Sequence, residues 1–145
     1  MNSPNNHKSE VIWVLSNIAA GSPEQIDLLF ENANVIEMLA DAFECGDHRM
    51  RKETGWTVAN ALTGASNSRL LWLCGTHILS VIPELLCLPL EPDLVERTLF
   101  AIESLVAKLP TYVPVIDSYE IFTAVHHVIL GDYSDDDTIK VSNEN

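Results

Sequence analysis

Two short stretches of this chain carry the same three chemistry-bearing residues at the same spacing. Glu10, Trp13 and Asn17 lie in EVIWVLSNIAAG, and Glu53, Trp56 and Asn60 lie in ETGWTVANALTG. In each, Glu, Trp and Asn stand at relative positions −3, 0 and +4, and a Gly closes the stretch (Gly21, Gly64). Steps of three and four residues fall on one face of a helix, so each trio predicts one stripe. The residue types suit one task. An Asn amide both donates and accepts, so it can pair with the N–H and C=O of an extended peptide. An indole face holds an aliphatic stem and attracts its cationic head, worth about 0.5 to 2 kcal/mol depending on desolvation. A Glu one turn away can accept from that ammonium or guanidinium in a charge-assisted hydrogen bond. The ligand implied is an extended peptide rich in Lys and Arg. A single Trp in a helix is usually core, but two matching trios 43 residues apart argue for a shared surface role.

Other chemistries find little support. No Ser/His/Asp order, glycine-rich phosphate loop or paired catalytic carboxylates can be argued, so the chain reads as a non-enzyme without a cofactor. Cys45, Cys74 and Cys87 have no CxxC or Cys/His metal spacing and read as buried, reduced thiols. His126-His127 lies in an apolar segment without partnered ligands, and Cys45 with His48 merely flanks a turn. No metal site is expected. Gly21 and Gly64 read as helix C-caps rather than nucleotide loops.

The elements that must position the trios repeat as well. After Gly21 come SPEQIDLLFEN and NVIEMLADAFECGD; after Gly64 come SNSRLLWLCGTH and ILSVIPELLCLPLEPD. Each first piece opens with a Ser suited to N-capping. Each second piece has apolar residues near helical spacing, as in Val35, Ile36, Leu39, Ala42 and Phe43. The order predicted is short helix, medium helix, long helix, with the trio on the long one. A third long segment, VERTLFAIESLV, keeps the apolar pattern but has Phe100 for Trp, Ser104 for Asn and Arg97 for Glu. Trp72, with no Asn at +4, is expected to pack between first helices. A helical period of this length belongs to the armadillo or HEAT size class.

The organisation expected is a flexible N-terminus over 1–9, a lone third helix over 10–21, full repeats over 22–64 and 65–108, a partial repeat over 109–131, and an acidic disordered tail over 132–145. That makes an all-α, right-handed superhelical solenoid of about three armadillo repeats. The chain has 145 residues, 47% of them hydrophobic, enough for one domain with a core. Eight Lys and Arg against 21 Asp and Glu give a formal charge of −13. Nucleic-acid footprints are basic, so this balance disfavours DNA or RNA and favours basic partners. No secretory signal or apolar run of membrane-spanning length is read.

VIWVLSNIAAGSPEQI, ECGDHRMRKETGWTVANALTGAS and VERTLFAIESLVAKL resemble the C-terminal armadillo repeats of importin-α, over roughly residues 9–137. The WxxxN pairs and RKExxW (Arg51–Trp56) are the specific part of the likeness. The resemblance implies that Trp13, Asn17, Trp56 and Asn60 bind nuclear localisation signals, that Glu10 and Glu53 meet the basic side chains, and that the ladder is part of the family's minor site. It implies work in nuclear protein import, location in cytoplasm and nucleus, and, as a partner, the export receptor that recycles importin-α. Importin-β binding is not expected, because Met1–Ser9 holds no counterpart of the family's basic arm. The alternative from another class is a catenin-type armadillo scaffold with acidic or phosphorylated partners. The shortage of Lys and Arg along the stripes speaks against it.

Overall fold

The computed structural model describes residues 4–88 and 90–137, and every element in it is helical. The elements are α1 (Pro4–Ala19), α2 (Pro23–Leu29), α3 (Asn34–Cys45), α4 (His48–Gly64), α5 (Asn67–Cys74), α6 (Ile82–Leu85), α7 (Pro92–Lys108), α8 (Val113–Ser118) and α9 (Ile121–Asp137). Short 3₁₀ segments, His77–Val81 and Pro110–Tyr112, precede α6 and α8. The chain is all-α, with no strand among the described residues. No single helix among them is long and apolar enough to cross a membrane.

Local chemistry explains the helix starts. Ser22 caps α2 through a reciprocal pair: its side chain accepts from Gln25 N, and the Gln25 side chain accepts from Ser22 N at 2.8 Å. Ser66 does the simpler version for α5, accepting from Arg69 N. Asp47 caps α4 by accepting from Met50 N at 2.9 Å. The helix before α7 is broken in two, a 3₁₀ turn and then α6, because Pro83 has no N–H to continue the ladder. Of the apolar positions expected on α3, Ile36, Leu39, Ala42 and Phe43 are buried, and Val35 is half-buried against the core.

The long helices lie side by side. α1 packs on α4 and α4 on α7. At the N-terminal ends of the second pair, His48 Nε2 meets Glu91 Oε2 at 2.9 Å. At their C-terminal ends, Lys108 Nζ donates to Thr63 O at 3.2 Å. α4 and α7 are therefore parallel and one period apart. Arg69 Nε donates to Asp27 Oδ1 at 2.9 Å, tying α5 to α2, and His77 pairs with Glu37 at 2.7 Å, tying the 3₁₀ turn to α3. Trp72 on α5 packs against Phe30 at the end of α2 with tilted rings, centroids 6.0 Å apart. The exposed His–Glu contacts contribute at most about 1 kcal/mol each. Burial carries the fold: Leu39, Leu70, Leu79, Ile82, Leu85 and Leu94 are fully enclosed, at about 1.5–3 kcal/mol per large apolar side chain.

Gly55 lets these layers close. It is buried in the middle of α4, and a Cβ there would collide with Leu85 Cδ2 and come within 2.8 Å of Leu94 Cδ2. Both leucines are fully buried, so neither can swing aside.

Several expectations need correction. The first nine residues are not a flexible arm over their whole length: α1 begins at Pro4, a residue suited to a first turn, and Ser9 is buried. α9 continues to Asp137, so the acidic run Asp132–Asp137 begins on helical backbone, with no proline to stop it; residues 138–145 lie outside the described ones. Gly64 is the last residue of α4 and not its C-cap, which is Ala65; Gly21 lies two residues beyond the end of α1, and no described glycine has positive φ. The chain leaves α4 extended at Ala65 (φ −70°, ψ 153°), and Gly64 serves close packing against Ile26, whose Cδ1 an added Cβ would meet at 3.0 Å. Only Cys74 is a buried thiol; Cys45 and Cys87 are exposed. The Asp41 carboxylate raises the pKa of Cys45, and burial raises that of Cys74.

Candidate functional site

The two trios occupy α1 and α4, neighbouring helices in contact. In α1 all three residues face solvent: Glu10 and Asn17 are exposed, and Trp13 is 51% exposed. The burial pattern explains why. The side of α1 turned to the core is Ser9, Ile12, Ser16 and Ala19, and the stripe lies off it. In α4 the same three positions, Glu53, Trp56 and Asn60, are half-buried, and Trp56 also packs on the core.

Side-chain hydroxyls on both helices bond back to the preceding turn. Ser16 donates to Trp13 O at 2.7 Å and Thr57 to Glu53 O at 2.9 Å, so neither competes for the stripe. Glu10 and Glu53 make no ion pair among the described residues. Their carboxylates are available to a cation from outside.

The third long helix differs. Phe100 on α7 is 50% exposed, and Arg97 lies over its ring, 5.6 Å from guanidinium carbon to centroid. Arg97 Nε also donates to Asn60 Oδ1 at 3.1 Å. An arginine has only donors, so the atom of Asn60 facing it must be the oxygen. The Nδ2 hydrogens of Asn60 are thereby the part left for a ligand carbonyl. Sequence reasoning noted Arg97 only as a departure from Glu; that it reaches back to Asn60 follows from the one-period offset of α7 on α4.

Arg51, the first residue of the RKExxW stretch, faces away from the stripes. Its guanidinium lies 5.7 Å from the Phe43 ring centroid on α3. His126 and His127 are exposed, and His127 lines a recess of about 660 Å³ between α7 and α9 with Leu86, Leu88, Val95, Leu99 and Val128. No cluster of three or more potential metal ligands occurs among the described residues. The stripes present exposed or half-exposed side chains on two neighbouring helices, a display suited to an extended chain.

Fold and site together define an all-α protein with aromatic and amide side chains displayed on adjacent helices. No protein-family model matches the chain, and no curated protein sequence matches it.

Proposed function

We propose that the chain is an armadillo-type solenoid segment of about three repeats that binds extended Lys/Arg-rich peptides along the Trp13/Asn17 and Trp56/Asn60 rungs. What supports the reading most is the pairing of α1 with α4, which carry identical trios, while the trio carboxylates make no ion pair among the described residues. The one-period register of α4 and α7, seen at both helix ends, supports the repeat.

Each component then has a role. Trp13 and Trp56 flank the stem of a basic side chain, Asn17 and Asn60 hold the peptide backbone extended, and Glu10 and Glu53 receive the cationic heads. The formal charge of −13 draws such peptides in. The likeness to importin-α extends the proposal to nuclear localisation signals as ligands, to a part in nuclear protein import in cytoplasm and nucleus, and to the export receptor of that family as a further partner.

Fluorescence anisotropy with one Lys-rich and one acidic peptide tests the reading. The expected result is micromolar binding of the Lys-rich peptide, weakened by salt, and no binding of the acidic one. Preference for the acidic peptide would replace this reading with the catenin-type scaffold.

A further inference from the structure

Arg97 stands in the third long helix where Glu10 and Glu53 stand in the first two, and Phe100 stands where the tryptophans do. The guanidinium lies over Phe100, and its Nε donates to the amide oxygen of Asn60 on the neighbouring helix. The first is a contact that the proposed ladder gives to a ligand's basic side chain, an aromatic face beneath the cation; the second takes up the oxygen of an amide that the ladder offers to the peptide backbone. No carboxylate pairs with Arg97 among the described residues. Arg97 is half-buried, and among the described residues its guanidinium is engaged by Phe100 and Asn60 rather than by a carboxylate.

We propose that Arg97 is a built-in occupant of the ladder's third step. It fills, from within the chain, the place between Asn60 and Phe100 that a further basic side chain of the ligand would take, and it repels any cation presented there. Recognition of Lys and Arg therefore ends at the Trp56 rung. The inference rests on the proposed reading of the ladder and adds a limit to it: Arg97 sets how many basic residues are read and at which end reading stops. It acts as a specificity residue. By holding Asn60 Oδ1 it also fixes which way that amide faces the ligand.

The test uses the whole chain and three labelled peptides: a short basic core, the same core with two lysines added at its N-terminal end, and the core with two lysines added at its C-terminal end. Affinities are measured by anisotropy for the natural protein, Arg97→Glu, Arg97→Gln and Arg97→Lys. For the natural protein the extension that reaches the third step adds nothing, less than about twofold. In Arg97→Glu the same extension, at one end only, adds about tenfold, since removing a repulsion and adding an exposed ion pair are each worth up to a few-fold. Arg97→Gln adds less, and Arg97→Lys keeps the block. Comparing peptides on one variant cancels the general effect of a changed net charge, and Arg97→Gln with Arg97→Lys guards against misfolding of the Glu variant, checked by circular dichroism.

If the variants and the natural protein respond to extension alike, while Trp56→Ala with Asn60→Ala still removes binding of the core peptide, Arg97 is no stop and the ladder reading survives. If no basic peptide binds any of the proteins, the ladder reading itself falls, and the role of Arg97 with it.

Discussion

The Trp13 rung and the Trp56 rung have the same three residues at the same spacing, yet they are built differently. α1 is covered along one side only: Val11 and Val14 are about half exposed, whereas Thr54 and Thr57, their counterparts in α4, are fully buried. α4 has a long helix on each side, α1 and α7. Trp56 is consequently half-buried against the core, and Asn60 is held by Arg97, while Trp13 and Asn17 project freely. An identical local motif gives a loose rung in one place and a held one in the other. The neighbours decide how much side-chain entropy has been lost before a ligand arrives.

The sharpest way to break this comparison is the double change Trp56→Ala with Asn60→Ala. It should weaken binding of a Lys-rich peptide by about 100-fold or more, since held aromatic anchors dominate such surfaces, with little loss of helicity by circular dichroism. Unchanged affinity in a folded variant would refute the site. Amide hydrogen exchange should separate the helices next: mid-α4 amides, around Val58–Ala61, should exchange at least tenfold more slowly than Val11–Ile18 of α1, because α1 has one supporting side and α4 two. Equal protection would remove the physical basis of the contrast.

Gly55→Ala, beside the held rung, should lower stability in urea unfolding by about 1–3 kcal/mol, because the added methyl overpacks a closed space. A neutral result would mean that Leu85 and Leu94 can yield. Trp13→Ala should weaken peptide binding only about three- to tenfold, less than Trp56→Ala, with almost no change in stability. The reverse order would make the free rung the principal one. Smallest of all, Phe100→Ala should change stability by less than about 1 kcal/mol, given its 50% exposure. A larger loss would assign Phe100 to the core.

Much of the helical framework was legible in the sequence. The serine starts at Ser22 and Ser66 and the periodic burial of Ile36, Leu39, Ala42 and Phe43 are local signals, and local signals survive folding. Trp72 against Phe30 was legible for the same reason, as an aromatic without the companions of the other tryptophans. What was not legible depends on contacts from afar. The glycines that end the trios suggested C-caps, but the C-cap of α4 is Ala65, where the chain leaves extended, and Gly64 is small to make room for Ile26. The start of α1 at Pro4 was signalled by Ser3-Pro4, the same pair as Ser22-Pro23, and went unread because no apolar period follows at once; the burial of Ser9 is a tertiary fact. In the site, the trios could be placed on helix faces from spacing alone. Their unequal exposure could not, since it depends on which helices flank each one. The reach of Arg97 to Asn60 crosses 37 residues and requires knowing that α7 lies parallel to α4.

Gly55 has a consequence beyond stability. It is one residue before Trp56, and the side chains pressed against it belong to Leu85 on α6 and Leu94 on α7. Leu94 is one helical turn before Arg97. A larger residue at position 55 would push α7 outward and carry Arg97 and Phe100 with it, away from Asn60. The stride from one step of the surface to the next is thus governed by a hydrogen atom in the interior, where no ligand can reach it. On the proposed ladder, substitution there is expected to alter the length of peptide that fits while leaving every surface residue unchanged.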